Sequence, residues 1–522
     1  MSLDLNPTFQ KAFQLLDTTS RNVFLTGRAG TGKSTFLEYF RLHTKKKVVV
    51  LAPTGVAALN IHGVTIHSFF GWKPHTTPED IKPSKKNKEL FAKIDTIIID
   101  EISMVRADIL DLVDVTLRIN REGMRHIPFG GIQMVFIGDL YQLPPVLTSA
   151  EKPIFMERYK SPYFFDAFVM TDGAFDMDFV EFENIYRQRD NAFIGLLNKI
   201  RNNSVEQNDI ELLNERLIGK VLPVRHESGE GFSITLTTTN ASAETMNSER
   251  LGNLPGLHRT FDGYTEGHFD SKNLPTELHL ILKIGAQVMF VANDTRGRWV
   301  NGTIGRIAGF KKDEEGEDYL EVTKDDGETV NVTPFEWEMY EYAQDDITGV
   351  PTMKVAGTFT QFPLKLAWAI TIHKSQGKTF DHVVVDIGNG AFAHGQVYVA
   401  LSRCRSFEGL FLMKPIQKRH IFMDYAIVRF LTRYQYRIAE QQMSREDRID
   451  FIESAIMDGQ DIEMVYLKGK DEKSNRRITP ISIGDMAHMG KKYLGMVAHC
   501  HERGEERVFA VARILEMKKV EK

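Results

Sequence analysis

The chain has 522 residues, 42% of them hydrophobic and 26% charged, with a formal net charge of −5, a composition of folded, water-facing proteins with room for three or four domains of roughly 100–200 residues each. The charge excludes a globally basic nucleic-acid binder, so any polyanion contact must come from local patches. Two isolated cysteines, Cys404 and Cys500, exclude a disulfide framework and a cysteine zinc cluster, and neither an apolar signal core in MSLDLNPTFQKAF nor a run of about 18 apolar residues is present.

In chain order, buried strands are expected at NVFLT (22–26), KVVVLA (47–52), TIIIDE (96–101) and MVFIGD (134–139). Continuous β-branched runs separated by helical stretches predict a parallel sheet covered on both faces over residues 1–185. A second α/β domain is expected over 186–282 and 361–431, from SITLTTTN, LAWAITIHKSQG and HVVVDIG. Between its halves, 283–360 reads as short strands and turns, with Asp326-Gly327 as a hairpin signal, and predicts an inserted small β-barrel. Residues 432–443 are polar and read as a linker. Ser444 with Asp447 resembles a capping box ahead of an Ile449, Ile452, Ile456 stripe, opening a small α+β unit over 444–522. The fold class expected is α/β: two parallel α/β domains, an inserted barrel and a C-terminal α+β module.

Gly27-Arg28-Ala29-Gly30-Thr31-Gly32-Lys33-Ser34 fits G-x-x-x-x-G-K-[ST] between a strand and the helix STFLEYFRLH. Such a loop turns backbone N–H groups onto phosphates at a helix N-terminus. Gly27, Ala29, Gly30, Thr31, Gly32, Lys33, Ser34 and Thr35 are therefore the expected ATP-binding set, with Lys33 on the β- and γ-phosphates and Ser34 on Mg²⁺. Asp100-Glu101 ends the third strand; the first carboxylate can hold Mg²⁺ and the second can polarise the attacking water. Gln142 in GDLYQLPPV can face the γ-phosphate, although an ordinary polar loop residue is the simpler local reading. Arg187 in IYRQRD and Arg403 in VALSRCR are candidate arginine fingers; without further context an isolated arginine is more commonly an ion-pair residue.

These motifs together resemble the Pif1 family of superfamily 1B DNA helicases. The resemblance covers about residues 1–430 and rests on LTGRAGTGKST, LAPTGVAALNIHGVTIHSFF, IIIDEISM, PFGGIQMVFIGD, GDLYQLPPV, YRQ, LAWAITIHKSQGKTF and VYVALSRCRS in that order. It implies two RecA-like domains with an SH3-like insertion. The Pro- and Lys-rich stretch WKPHTTPEDIKPSKK, within about 60–90, reads as a small wedge that splits the duplex and equally as a solvated loop. The resemblance implies Gln142, Arg187 and Arg403 at the γ-phosphate, and Glu101, Lys33 and Mg²⁺-bound Ser34 and Asp100 in hydrolysis. DNA contacts are implied for Thr54, Gly55, Val56, Thr65, His67, Ser68 and Phe69, and for His373, Lys374, Ser375 and Gln376. The family implies 5′→3′ movement on single-stranded DNA, unwinding of forked duplex or G-quadruplex DNA, and settings in replication, repair and telomere maintenance. One departure concerns the family's L-N-x-x-Q adenine motif: after Leu5-Asn6 the glutamine's place holds Phe9, and Gln10 comes one place late, so either Gln10 reads adenine or adenine is read otherwise.

Hydroxyls, backbone amides, lysines and aromatic faces give a grip that tolerates any sequence; HSFFGW (67–72) offers several of these, and equally reads as a hydrophobic plug under a loop. Arg296, Arg298 and Trp299 lie near strand ends of the insert and are further DNA-contact candidates. Residues 444–522 resemble a WYL domain, whose basic and aromatic groove falls on Tyr466, Arg476, Arg477, Tyr493, Arg503, Arg507 and Arg513; ion pairing with Glu502, Glu505 and Glu506 is the alternative for these arginines. The functions expected are an ATP-dependent helicase, a DNA-binding regulator switched by ATP through the C-terminal module, or a translocase that strips proteins without unwinding. A monomer without membrane contact is expected, cytoplasmic and, in a bacterium, nucleoid-associated.

Overall fold

The computed structural model describes residues 6–73, 76–188, 190–220, 232–269, 274–344, 351–388, 390, 393–469, 472–488 and 490–520; Leu5 of the adenine motif and Pro74 and His75 of the expected wedge lie outside them. The chain forms two compact units, one of residues 1–201 and 205–422 and one of 202–204 and 423–522.

The first unit opens on a six-stranded sheet in the order Val64–Thr65, Val48–Ala52, Thr96–Ile99, Gln133–Gly138, Asn22–Gly27, Met177–Phe182, with all neighbours parallel. Thr96–Ile99 and Gln133–Gly138 are buried at every position, as expected of central strands covered on both faces. Met177–Phe182 pairs along Asn22–Gly27 at the sheet edge and is only half-buried in its middle, so its mixed sequence MDFVEF gave no strand signal. A second parallel sheet, Ala369–Thr371, Ile234–Thr237, Val383–Asp386, Leu410–Leu412, shares a core with the helices Asn191–Arg201 and Gln396–Leu401.

The β module differs from its expected 283–360 boundaries. Strands Arg259–Asp262 and His279–Leu282 pair with each other, and Phe261, Leu280 and Leu282 share one core with Val288, Phe290, Trp299, Leu320 and Leu364. In HLIL, Leu280 and Leu282 are buried while His279 and Ile281 are exposed, which makes this segment half-buried sheet rather than part of the α/β layer. The Asp326-Gly327 turn forms between Thr323 and Thr329, with Gly327 at φ +86, a conformation glycine adopts without strain. Trp299 is buried and stacks on Phe290 at 4.5 Å, and Arg298 is held by Asp294 at 2.7 Å. Trp299 therefore has no open face for a base, while Arg298 stays partly exposed beside its carboxylate and Arg296 is exposed.

In the second unit the expected linker is helix. Tyr425–Gln442 runs unbroken, burying Ile427, Val428, Leu431, Gln435 and Ala439; four of these recur at intervals of four and make one stripe within an otherwise polar sequence. The helix Arg445–Met457 follows, with the Ser444–Asp447 capping box formed in both directions. Its buried line runs Arg448, Ile452, Ala455 rather than Ile449, Ile452, Ile456, because the Arg448 stem is packed inward. An antiparallel five-stranded sheet, Glu505–Ala510, Lys491–Cys500, Glu472–His488, Ile462–Lys468, Ile514–Lys519, completes the unit.

Candidate functional site

The sheet order dictates the site. Thr96–Ile99, Gln133–Gly138 and Asn22–Gly27 are consecutive neighbours, so the residues just past their C-terminal ends, Asp100-Glu101, Asp139 and the P-loop, converge on one edge, where parallel sheets bind ligands. A cleft of about 970 Å³ lies there, lined by residues 29–35, Glu101, Gln142, Tyr186, Arg187, Gly377, Thr379 and Arg403, among others. It gathers the first sheet's motifs with residues from the second.

In the P-loop, Gly30 and Gly32 sit at φ +81 and +84. A Cβ on Gly30 would lie 2.4 Å from Arg187 Cβ, and one on Gly32 3.0 Å from the Phe9 ring. Lys33 Nζ donates to Gly27 O at 2.7 Å and Arg28 O at 3.0 Å. Burial pulls its pKa down, while Asp139, Glu101 and Asp100 support the charge. The Asp100 carboxyl is pushed up to about 7, first by burial and then by Glu101. Glu101 is also raised by burial, opposed by Lys33 and Arg403, and takes a left-handed backbone, φ 49 and ψ 43, the kind of local strain that functional sites store.

Arg187 donates from Nη2 to Gly377 O at 3.3 Å, while its Nη1 is buried without a hydrogen bond. Arg403 lines the cleft but is 1% exposed. Its guanidinium donates to Val399 O at 3.0 Å, Ser402 Oγ at 2.9 Å, Lys378 O at 3.3 Å and Ser375 O at 3.5 Å. Burial, then Arg187, brings its pKa down to about 9. Gln188 of YRQ donates to Ser402 O and Cys404 O, tying the two arginine segments together.

Gln10 lies exposed in the first turn of the helix Pro7–Thr18 and outside the cleft lining. Asn6, which caps that helix, donates instead to Tyr186 OH at 2.9 Å. Tyr186 is 59% exposed and presents a planar ring at the cleft, a lining residue that sequence reading missed. Asp139, Arg201 and Tyr398 were also missed: Asp139 Oδ1 accepts from Arg201 Nη2 at 3.1 Å, both side chains buried.

Of the expected DNA contacts, Thr54 and Thr65 cap short helices, their hydroxyls accepting from Ala57 N and Ser68 N and keeping the O–H free to donate. Val56, His67 and Ser68 are exposed and Gly55 is half-buried. Phe69 packs on Phe70 at 4.8 Å and Phe91 at 5.8 Å, and Phe70 stacks on Trp72 at 4.6 Å, the geometry of the plug rather than of an open stacking face. In the segment 373–376, Lys374 is exposed and His373 and Gln376 half-buried. Ser375 is fully buried and donates to Ile372 O at 2.7 Å, so its side chain braces the turn and does not reach a strand. Lys378 is buried and donates to Asn301 of the β module, which donates to Asn60 at 3.3 Å.

In the C-terminal module the seven groove residues are spread over the sheet. Tyr466 OH accepts from Ala510 N and its ring meets Phe509 edge-on at 5.2 Å. Arg477 pairs with Asp461 at 2.8 Å, Arg476 lies 3.9 Å from Glu502 and Arg507 3.8 Å from Glu505. Tyr493 is half-buried on the strand Lys491–Cys500, and Arg503 and Arg513 are exposed. The cavity of this unit, about 390 Å³, is lined by Gln442, Met443, Arg448 and residues 514–517, none of the seven.

The PIF1-like helicase family profile matches residues 5–211, a UvrD-like helicase C-terminal domain 366–412 and a WYL domain 447–519. The chain is 32% identical over 447 residues to the ATP-dependent DNA helicase Pif1 of Bdellovibrio bacteriovorus, covering 83% of this chain and 93% of that one. The crystal structure of unliganded Pif1 from Bacteroides sp is 38% identical, with a TM-score of 0.73 over 83% of this chain and 97% of that one. Bacteroides Pif1 bound to single-stranded DNA is 38% identical, with a TM-score of 0.58 over 82% and 96%.

Proposed function

We propose, for a chain that belongs to the PIF1-like helicase family and is an ATP-driven DNA helicase, that hydrolysis in the cleft moves it 5′→3′ along single-stranded DNA and opens forked duplex or G-quadruplex DNA ahead of it. The supporting observation is the single cleft to which the first sheet contributes Lys33, Glu101 and Gln142 and the second layer Gly377, Thr379 and Arg403. Hydrolysis at such a seam changes contacts in both layers at once. Ser34, exposed at the helix start, and the buried Asp100 carboxyl offer the hard oxygen donors that Mg²⁺ requires. The metal would neutralise charge on the β- and γ-phosphates; Lys33 binds, Glu101 takes the water's proton and Gln142 orients.

Duplexes with either a 5′ or a 3′ single-stranded tail test the direction: ATP-dependent opening of the 5′-tailed substrate alone is expected, and opening from the 3′ tail would overturn it. Arg503 and Arg513 of the WYL module make no ion pair among the described residues, and we propose that they add affinity for the unwound strand. An Arg503→Ala, Arg513→Ala double variant is expected to bind the 5′-tailed duplex more weakly by fluorescence anisotropy; unchanged binding removes them from the DNA path.

A third expectation concerns pH. Lys365, half-buried, is pushed down to about 7 by burial and by Lys378 and Lys374, and burial brings Lys378 to about 8. Both values lie below the unfolded value of 10.5, so at pH 8 Lys365 is largely neutral in the folded chain. The unfolded chain holds protons at these two lysines that the folded chain gives up, so folding stability should rise with pH between about 7 and 10.5. Thermal melts across that range measure the slope. Lys365→Met should flatten it; a wild-type melting temperature that does not rise with pH would show that Lys365 stays charged in the folded chain.

A further inference from the structure

We propose that Tyr398 is a positioning residue through which the second α/β layer holds both the P-loop and the Gln142 turn, with Asp139 as the shared acceptor. The inference rests on the coupling between layers proposed above. The Tyr398 phenol is 4% exposed. Its oxygen accepts the Ala29 N–H of the P-loop at 3.1 Å, and its O–H points to Asp139 Oδ2 at 3.5 Å, a long contact.

Asp139 serves the Gln142 side as well. Its carboxylate accepts from Tyr141 N at 3.2 Å and from Gln142 Nε2 at 3.5 Å, and its carbonyl accepts from Gln142 N at 3.0 Å. The same carboxylate takes Arg201 Nη2 at 3.1 Å, and that guanidinium lies 4.0 Å over the Tyr141 ring. Tyr398 and Arg201 both come from the second layer: the helix Gln396–Leu401 is buried throughout, and Leu196, Leu197 and Ile200 of Arg201's helix share its core. Ala29 packs into that same core.

The layers also meet by shape. A Cβ on Gly395, at φ +75, would stand 2.3 Å from Gln142 O, so the start of Tyr398's helix presses directly on the Gln142 turn. The phenol remains a donor throughout the working range, because burial, then Asp139, pushes it up to about 12. A movement of the second layer therefore reaches a P-loop amide through one oxygen and Gln142 through one carboxylate.

Tyr398→Phe keeps the ring and removes that oxygen. Steady-state ATP hydrolysis is measured against ATP concentration, with and without saturating single-stranded DNA, beside a thermal melt. The kcat with DNA is expected to fall about tenfold while KM stays within about twofold, with the melting temperature within a few degrees of wild type. A drop in kcat, KM and melting temperature together would make Tyr398 merely structural and overturn the proposal. So would a raised KM with kcat unchanged, or no change in any of them. A wild-type enzyme whose hydrolysis ignores DNA would instead defeat the coupling reading, leaving the two failures distinct.

Discussion

Lys33→Ala is expected to lower ATP turnover with saturating single-stranded DNA about a thousandfold and to abolish strand separation. The structure gives the physical reason. The ammonium rests on the loop's own carbonyls, Gly27 O and Arg28 O, and its charge is supported by Asp139, Glu101 and Asp100. Transferring it to the phosphates costs little, since loop carbonyls and phosphate oxygens are both acceptors. Without it, three carboxylates face an incoming polyanion with less opposing charge, and the Asp100 carboxyl moves further up from about 7. Steady-state hydrolysis and a gel-based unwinding assay check this; a loss smaller than about tenfold would remove Lys33 from phosphate binding.

Glu101→Gln should lower kcat by about a thousandfold while leaving nucleotide affinity within a few-fold. Glutamine keeps the volume and the cleft lining but can take no proton. Its backbone must adopt the same left-handed geometry, φ 49, which neither residue prefers, so the cost to folding is shared and the difference falls on chemistry. Single-turnover hydrolysis with fluorescent-nucleotide binding separates the two: intact binding with slow turnover is the expected pair, and weakened binding with normal turnover would assign Glu101 to binding alone.

Local spacing made much of this site legible in the sequence. The P-loop lies within eight consecutive positions, and Asp100-Glu101 follows a buried run whose strand character is unambiguous. The Asp139, Tyr398 and Arg201 cluster was not legible because its members lie far apart and each looks ordinary where it stands. Asp139 ends a strand, Tyr398 sits in an apolar helix as a core aromatic would, and Arg201 closes a helix as a charge complementing its dipole would. The helix Tyr425–Gln442 was hidden because its buried stripe is carried partly by Gln435, an amide that composition counts as polar. Ser375 shows the opposite limit: its motif was found, but only packing reveals that the hydroxyl faces inward.

The Arg403 guanidinium, clasped by the carbonyls of Ser375 and Lys378, has a consequence for how this enzyme can be altered. Two of its four hydrogen bonds, to the carbonyls of Ser375 and Lys378, link the arginine at the nucleotide cleft to the turn that carries the exposed Lys374, while Val399 O and Ser402 Oγ fix it to its own segment. Substitutions that loosen this turn are therefore expected to re-aim the arginine, so whatever the turn binds and the rate of ATP turnover should shift together.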